Sequence, residues 1–309
     1  MGINANVKDL IEYLSKNDVN KAKQCALAVL ASDKAQGNAG WRNRMQNALL
    51  NNDPTFETLE VPYHVQGLVF LEDTEKTFIR QRYHLGDAER KLFEQISLMR
   101  DVAHEMDELR IRYLNAVLLY GQSGCGKTIF GRYVANALAL PFVYLNLSKV
   151  VDSLVGATSR NIATVFDWVR AFPCVLMLDE IDSISMRRSK STSQAADKEF
   201  SRTTITLIQE LDRLANNVVL LAATNRDDCI DEAIMRRLRV KHEVKRPNSA
   251  AIGAQVRCFL DDIGKAYDPV SVARYAQHAA TQQKTQADVN ADIVRAVAAS
   301  IASGAAIAL

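Results

Sequence analysis

The segment of this chain that most constrains its fold is Gly121-Gln-Ser-Gly-Cys-Gly-Lys-Thr128. It follows the apolar run Ala116-Val-Leu-Leu-Tyr120 and precedes a helical pattern, with the spacing G-x-x-x-x-G-K-[ST] at a strand-to-helix turn. Glycines there let backbone N–H groups curl inward without a Cβ clash, and the start of the helix carries the positive end of its aligned peptide dipoles. Such a turn is a phosphate-binding P-loop. Gly121, Ser123, Gly124, Cys125 and Gly126 form the cradle, Lys127 reaches the β- and γ-phosphates, and the Thr128 hydroxyl is a Mg²⁺ ligand.

A second apolar run, Val175-Leu-Met-Leu-Asp-Glu-Ile-Asp182, ends in carboxylates 179 − 127 = 52 residues beyond the P-loop lysine. This is the Walker B position: Asp179 holds Mg²⁺ through its water shell, and Glu180 polarises the attacking water. Further apolar runs at Phe142 to Asn146 and Val218 to Thr224 alternate with helical stretches. Strands alternating with helices predict an α/β fold, a parallel sheet covered on both faces.

Either side of this core the periodicity is helical. Val7, Leu10, Ile11 and Leu14, then Val19 to Leu30, read as a helical hairpin, and Trp41 to Leu50 as a third helix ending at Asn51-Asn52-Asp53-Pro54. Residues 55–86 give mixed signals. Leu92, Ile96, Met99, Ala103 and Met106 share one stripe and predict a long amphipathic helix from Asp87. Beyond Pro247 the pattern is helical again. The expected organisation is an N-terminal helical, partner-binding region (1–52), a nucleotide-binding α/β domain (53–246, core 110–246) and a small helical lid (247–309).

Composition narrows the setting. A length of 309 residues allows about two units. Lys plus Arg exceeds Asp plus Glu by only two, too little to imply a nucleic acid partner. Five scattered cysteines form no C-x-x-C pair, and no stretch approaches the roughly 18 apolar residues of a membrane span. A cytoplasmic protein is expected. Cys125, at a helix start beside Lys127, is either a reactive thiol of lowered pKa or an inert packed one.

These motifs resemble the AAA family of AAA+ ATPases, over roughly residues 110 to 246. Pro141 to Ser148 looks like the family's second strand, Ser153 to Ile162 like its pore-loop segment and following helix, and Val218 to Arg226 like its sensor-1 strand. The resemblance implies that Asn225 contacts the γ-phosphate or the attacking water. Ile230 to Arg239 is similar to the arginine-finger region in the double-arginine form of katanin- and spastin-like members, so Arg236 and Arg237 would reach a neighbouring subunit's γ-phosphate. A bacterial or phage-type single ring, usually a hexamer, is implied. ATP and Mg²⁺ are the cofactors, and ATP hydrolysis would remodel or unfold a protein substrate or complex. The substrate or an adaptor would be met by the N-terminal helices and by Leu154-Val155-Gly156, where the family usually has an aromatic in place of Leu154. Glu105 follows His104 without a second His at metalloprotease spacing, so any proteolysis would belong to a separate protease. The segment Thr285-Gln-Ala-Asp-Val289 resembles a degraded lead into the lid's last helix, without a sensor-2 arginine. The alternative is a AAA+ helper or loader acting on DNA through Arg187, Arg188 and Lys190.

Overall fold

The computed structural model describes residues 5–15, 19–32, 49, 59–150, 157–185, 194–304, 306, 307 and 309. The chain divides into two compact units, Met1–Glu60 and Val61–Leu309. In the first, α1 (Ala5–Ser15) packs against α2 (Val19–Ser32), with Ala22 and Leu30 buried. The expected helix from Trp41 to Leu50 falls outside the described residues except at Leu49, as do Leu154-Val155-Gly156 and Arg187, Arg188 and Lys190.

The second unit is built on a six-stranded sheet. Its strands are β1 (Phe70–Glu72), β2 (Asn115–Tyr120), β3 (Phe142–Asn146), β4 (Cys174–Asp179), β5 (Val218–Thr224) and β6 (Val240–Glu243), in the spatial order β1-β3-β4-β5-β2-β6. The central strands carry nearly continuous apolar runs because both faces are covered: Val117, Leu119, Val175, Met177, Val219 and Leu221 lie in one core cluster. The all-parallel expectation needs correction at one edge, where β1 pairs antiparallel with β3, Phe70 opposite Tyr144. At three residues β1 is too short to show a period. It is tied to the body by Glu72, which accepts from Arg132 Nε at 2.8 Å and from Thr77 Oγ1 at 2.7 Å. On the opposite edge, β6 alternates half-buried with exposed residues and sets Lys241 and Glu243 outward, a charged edge that discourages pairing with another sheet.

The long helix expected from Asp87 is two helices, α3 (Asp87–Asp101) and α4 (Ala103–Glu108), broken at Val102. The Tyr113 hydroxyl takes the carbonyl of Met99, the acceptor that the Ala103 N–H would use in an unbroken helix. Leu92, Ile96 and Ala103 nevertheless face the core as the stripe requires.

Helix α5 (Lys127–Leu138) follows the P-loop and crosses the sheet so closely that a Cβ on Gly131 would stand 3.1 Å from the Phe142 ring. Then come α6 (Ala157–Val169) and α7 (Gln194–Arg213), which pack on each other. The chain ends in α8 (Ser249–Asp262), α9 (Pro269–Thr281) and α10 (Gln286–Ser303), a bundle with its own core of Ile252, Val256, Leu260, Val272, Val289 and Ile293. Several contacts among the described residues join it to the sheet domain, Arg246 donating to Gln283 Oε1 at 2.7 Å among them. Arg82 donates to Asp262 at 2.6 Å and lies over the Phe259 ring, and the Ala287 N–H donates to the Gly124 carbonyl at 3.0 Å.

Candidate functional site

Strands β2, β4 and β5 run parallel in neighbouring positions, so their C-terminal ends open on one edge of the sheet. The chain turns into the P-loop after Tyr120, into Glu180 after Asp179, and into Asn225 after Thr224. Distant sequence segments thereby meet at one cleft of about 220 Å³, lined by Ser123, Gly124, Gly126, Lys127, Thr128, Asp179, Glu180 and Asn225, with Ala287 added from α10.

The P-loop backbone holds glycine at positive φ at three points, Gly121 at +139° and two that face the C-terminal bundle. Gly124 has φ +77° and Gly126 φ +103°, where an L side chain is strained. The space a side chain would need there is filled from the start of α10. A Cβ on Gly124 would stand 2.9 Å from Thr285 Oγ1, and one on Gly126 only 1.7 Å from Gln286 Oε1. Gln286 is thus a residue at the cleft that sequence reading missed, although the Thr285–Val289 segment had been singled out for its resemblance. Thr285 caps α10 through a capping box with Asp288, so the first turn of α10 is held rigid where it meets the loop.

Lys127 is 7 % exposed and donates to the carbonyls of Gly121 at 2.7 Å and Gln122 at 3.0 Å and to Asn225 Oδ1 at 2.6 Å. Burial pushes its ammonium below the usual lysine value, and the facing Asp179 carboxylate opposes that shift. Lys127 and Asn225, 98 residues apart, are therefore in direct contact. Thr128 Oγ1 donates to Asp179 Oδ2 at 3.1 Å. The same oxygen accepts the Tyr144 hydroxyl at 3.0 Å, while Oδ1 accepts the Glu180 N–H at 2.9 Å. Burial, with the Asp179 charge second, pushes the Tyr144 hydroxyl up to about 12, so it stays a donor. Tyr144 is the second residue that sequence reading missed.

Glu180 holds the left-handed backbone conformation, φ +57°, which is uncommon for a non-glycine residue. The turn is fixed on both sides. The Ile181 N–H donates to the Ala223 carbonyl at 3.0 Å, and Thr224 Oγ1 donates to Asp182 Oδ1 at 2.7 Å while accepting the Arg226 N–H at 2.9 Å. The turns that carry Glu180 and Asn225 are consequently bolted to each other.

Four expected residues, Gly121, Cys125, Arg236 and Arg237, lie elsewhere. Cys125 is only 5 % exposed, packed with the core on the inner side of the loop. Of the two readings of Cys125 this favours the packed thiol over the one of lowered pKa: burial pushes its pKa up, and the nearby Lys127 and Arg246 charges only partly offset this. Gly121 and Cys125 line a neighbouring hollow of about 410 Å³ with Val244, Arg246, Ala280 and Gln283. Arg236 and Arg237 precede β6, which runs parallel to β2, so they sit at the N-terminal end of the sheet, away from the P-loop. They line a cavity of about 480 Å³ with Asn115, Ala116 and Asp212. Arg236 is exposed and donates to Glu232 at 2.9 Å, whereas Arg237 makes a two-pronged pair with Asp212 at 2.8 and 2.6 Å. That pair holds the Asp212 carboxylate below its ordinary value.

Among the described residues there is no helix long and apolar enough to cross a membrane, and no cluster of three or more His, Cys, Asp or Glu arranged to hold a metal ion.

Comparison with known proteins agrees with this geometry. Residues 117–248 match the family model described as "ATPase family associated with various cellular activities (AAA)". The 26S proteasome regulatory subunit 10B homolog A of Arabidopsis thaliana is 38% identical over 170 residues, 53% of this chain and 42% of that protein. The 26S proteasome regulatory subunit 8 homolog B of the same plant is 33% identical over 205 residues, 64% of this chain and 49% of that protein. A AAA family ATPase of Sinorhizobium fredii is 32% identical over 166 residues, 53% of this chain and 49% of that protein. The chain spans less than half the length of these relatives. The fold, the P-loop cleft and these matches together identify an AAA ATPase domain within this chain, homologous to the proteasomal regulatory ATPases.

Proposed function

We propose that this chain binds Mg·ATP in the cleft at the C-terminal edge of the sheet, hydrolyses it within a ring of identical subunits, and uses the cycle to remodel or unfold a protein substrate or complex. The observation that carries the reading is the convergence of Lys127, Thr128, Asp179, Glu180 and Asn225 on one cleft while Arg236 and Arg237 stand at the other end of the same sheet.

The residues fit the group they are assigned. Backbone N–H groups of Gly124 and Gly126 and the Lys127 ammonium suit phosphate oxygens, and the Thr128 hydroxyl with the Asp179 carboxylate forms the hard oxygen donor set that a hydrated Mg²⁺ prefers. When bound, the cation neutralises charge on the transferred phosphoryl group. Glu180 accepts a hydrogen bond from the attacking water and aligns it. Asn225, already bonded to Lys127, orients the same region. Beyond the metal, Lys127 is the one cationic side chain among the described residues that line the cleft to meet the charge that develops at the γ-phosphoryl. Arg236 and Arg237 of an adjacent subunit supply the rest, and this makes hydrolysis depend on assembly.

A contact between two different surfaces closes into a ring or continues as a spiral, and the proteasomal homology supports a hexamer. The Arg236–Arg237 pair supports the katanin- or spastin-like form of the finger region. Protein substrates, through the N-terminal helices and the Leu154 segment, and a soluble cytoplasmic setting follow from the same reading, as does a separate protease as a partner. The test is the ATPase rate against protein concentration for wild type, Glu180→Gln and Arg237→Ala, with mass determination in ATP and Mg²⁺. Cooperative turnover, a nucleotide-stabilised ring of Glu180→Gln and loss of hydrolysis with retained binding in Arg237→Ala support it. Concentration-independent activity that survives Arg237→Ala overturns it. Turnover stimulated by DNA with steep salt dependence, and not by protein, would point instead to a DNA-acting loader.

A further inference from the structure

Tyr144 belongs to none of the motifs of the P-loop cleft, yet its hydroxyl is bonded to the carboxylate at the centre of it. The residue lies on β3, whose strand neighbour β4 ends at Asp179, with Asn146 opposite Asp179 and Tyr144 opposite Met177. Tyr144 shares a face with Phe142, on the side of the sheet that α5 covers, and the two rings stand 6.4 Å apart. A ring seated in that way has a fixed reach, and its oxygen ends 3.0 Å from Asp179 Oδ2.

Among the described residues Asp179 therefore has these donors: Tyr144 and Thr128 on Oδ2, and the Glu180 N–H on Oδ1. Their fates differ once a cation is held. Thr128 must turn a hydroxyl lone pair toward the metal, and its bond to Asp179 is then free to change. The tyrosine is a donor with no metal to serve, so its bond remains and keeps the carboxylate plane from rotating. Partners behind a metal-binding carboxylate fix its orientation in this way, and losing one typically weakens metal affinity or activity by about 10- to 100-fold.

We propose that Tyr144 is a positioning residue for the divalent cation, holding the Asp179 carboxylate so that it and Thr128 Oγ1 are presented together to hydrated Mg²⁺. The inference rests on the nucleotide-binding reading above and adds to it a residue outside the Walker motifs.

The experiment uses the full chain, wild type and Tyr144→Phe, and the binding of a fluorescent ATP analogue followed in EDTA and across a Mg²⁺ titration. Tyr144→Phe removes one oxygen and leaves the ring in its seat. The expected result is a rise of about tenfold in the Mg²⁺ concentration that half-saturates the Mg²⁺-dependent gain in binding, with affinity in EDTA within twofold of wild type. An Asp179→Asn background supplies the control: there the tyrosine change adds no further loss, because the carboxylate it positions is gone. An unchanged Mg²⁺ requirement in Tyr144→Phe overturns the proposal. So does an equal loss in EDTA and in Mg²⁺, which would mean general damage to the site, or an effect that persists undiminished in Asp179→Asn. If the wild-type chain binds no analogue under any condition, the nucleotide reading itself fails and this inference falls with it. Normal wild-type binding with an unmoved Mg²⁺ requirement in the variant removes the tyrosine's role alone.

Discussion

At the scale of single residues, the same positions serve phosphate chemistry and the packing of the protein. Lys127 is buried with three oxygen partners of its own, so nucleotide binding exchanges these bonds for phosphate contacts. Glu180 sits on a left-handed turn fixed from β5, which aims its carboxylate without needing a packed side chain. Glu180→Gln should keep nucleotide affinity within a few-fold while lowering turnover by about 100-fold or more, in the range of general-base losses; single-turnover hydrolysis alongside equilibrium binding separates the two. Burial argues against Cys125 as a nucleophile. Its buried, protonated thiol should be alkylated far more slowly than a free thiol at pH 7, and Cys125→Ser should bind nucleotide within a few-fold of wild type. Peptide mass mapping after brief iodoacetamide treatment checks the first, and a binding isotherm the second. Lys127, Thr128, Asp179 and Glu180 were legible in the sequence because each belongs to a local motif whose spacing carries its chemistry. Tyr144 and Gln286 were not, since each meets the site only through pairing or packing of distant segments.

Among the elements, legibility followed burial. β2, β3, β4 and β5 announce themselves as apolar runs because helices cover both faces. The edge strands β1 and β6 lacked any such signal, one being three residues long and the other half charged. The break at Val102 was hidden because the apolar stripe continues through it, and only Tyr113, arriving from another segment, takes the Met99 carbonyl. The first turn of α10, which Thr285 caps, is where the C-terminal bundle meets the P-loop. Thr285→Ala should lower unfolding free energy by about 1 kcal/mol, read from the urea midpoint at constant slope. The pair between α7 and the segment before β6 adds a pH dependence. The Asp212 carboxylate titrates lower in the folded chain than its ordinary 3.8, so its contribution is present above that value and is lost as pH falls through the lower folded value. Asp212→Asn should therefore melt below wild type at pH 7, and the gap should close on acidification below the carboxylate range, as thermal melts at stepped pH would register.

For the molecule as a whole, the parallel order of β5, β2 and β6 has one consequence that outweighs the rest. The P-loop, Glu180 and Asn225 open at the C-terminal edge of the sheet, and Arg236 and Arg237 enter at the N-terminal edge, so no single copy can bring them together without dismantling its core. The sequence held both motifs but not their separation, which exists only once β6 is known to lie beside β2. An active site divided between copies is the central claim, and subunit complementation tests it most directly. Lys127→Ala lacks a working cleft but keeps its arginines, while Arg236→Ala/Arg237→Ala keeps its cleft but lacks the arginines. The account predicts that each is inactive alone and that mixing them restores ATP hydrolysis in proportion to the mixed interfaces formed. Full hydrolysis by the double-arginine variant on its own, unaffected by the second protein, would contradict it.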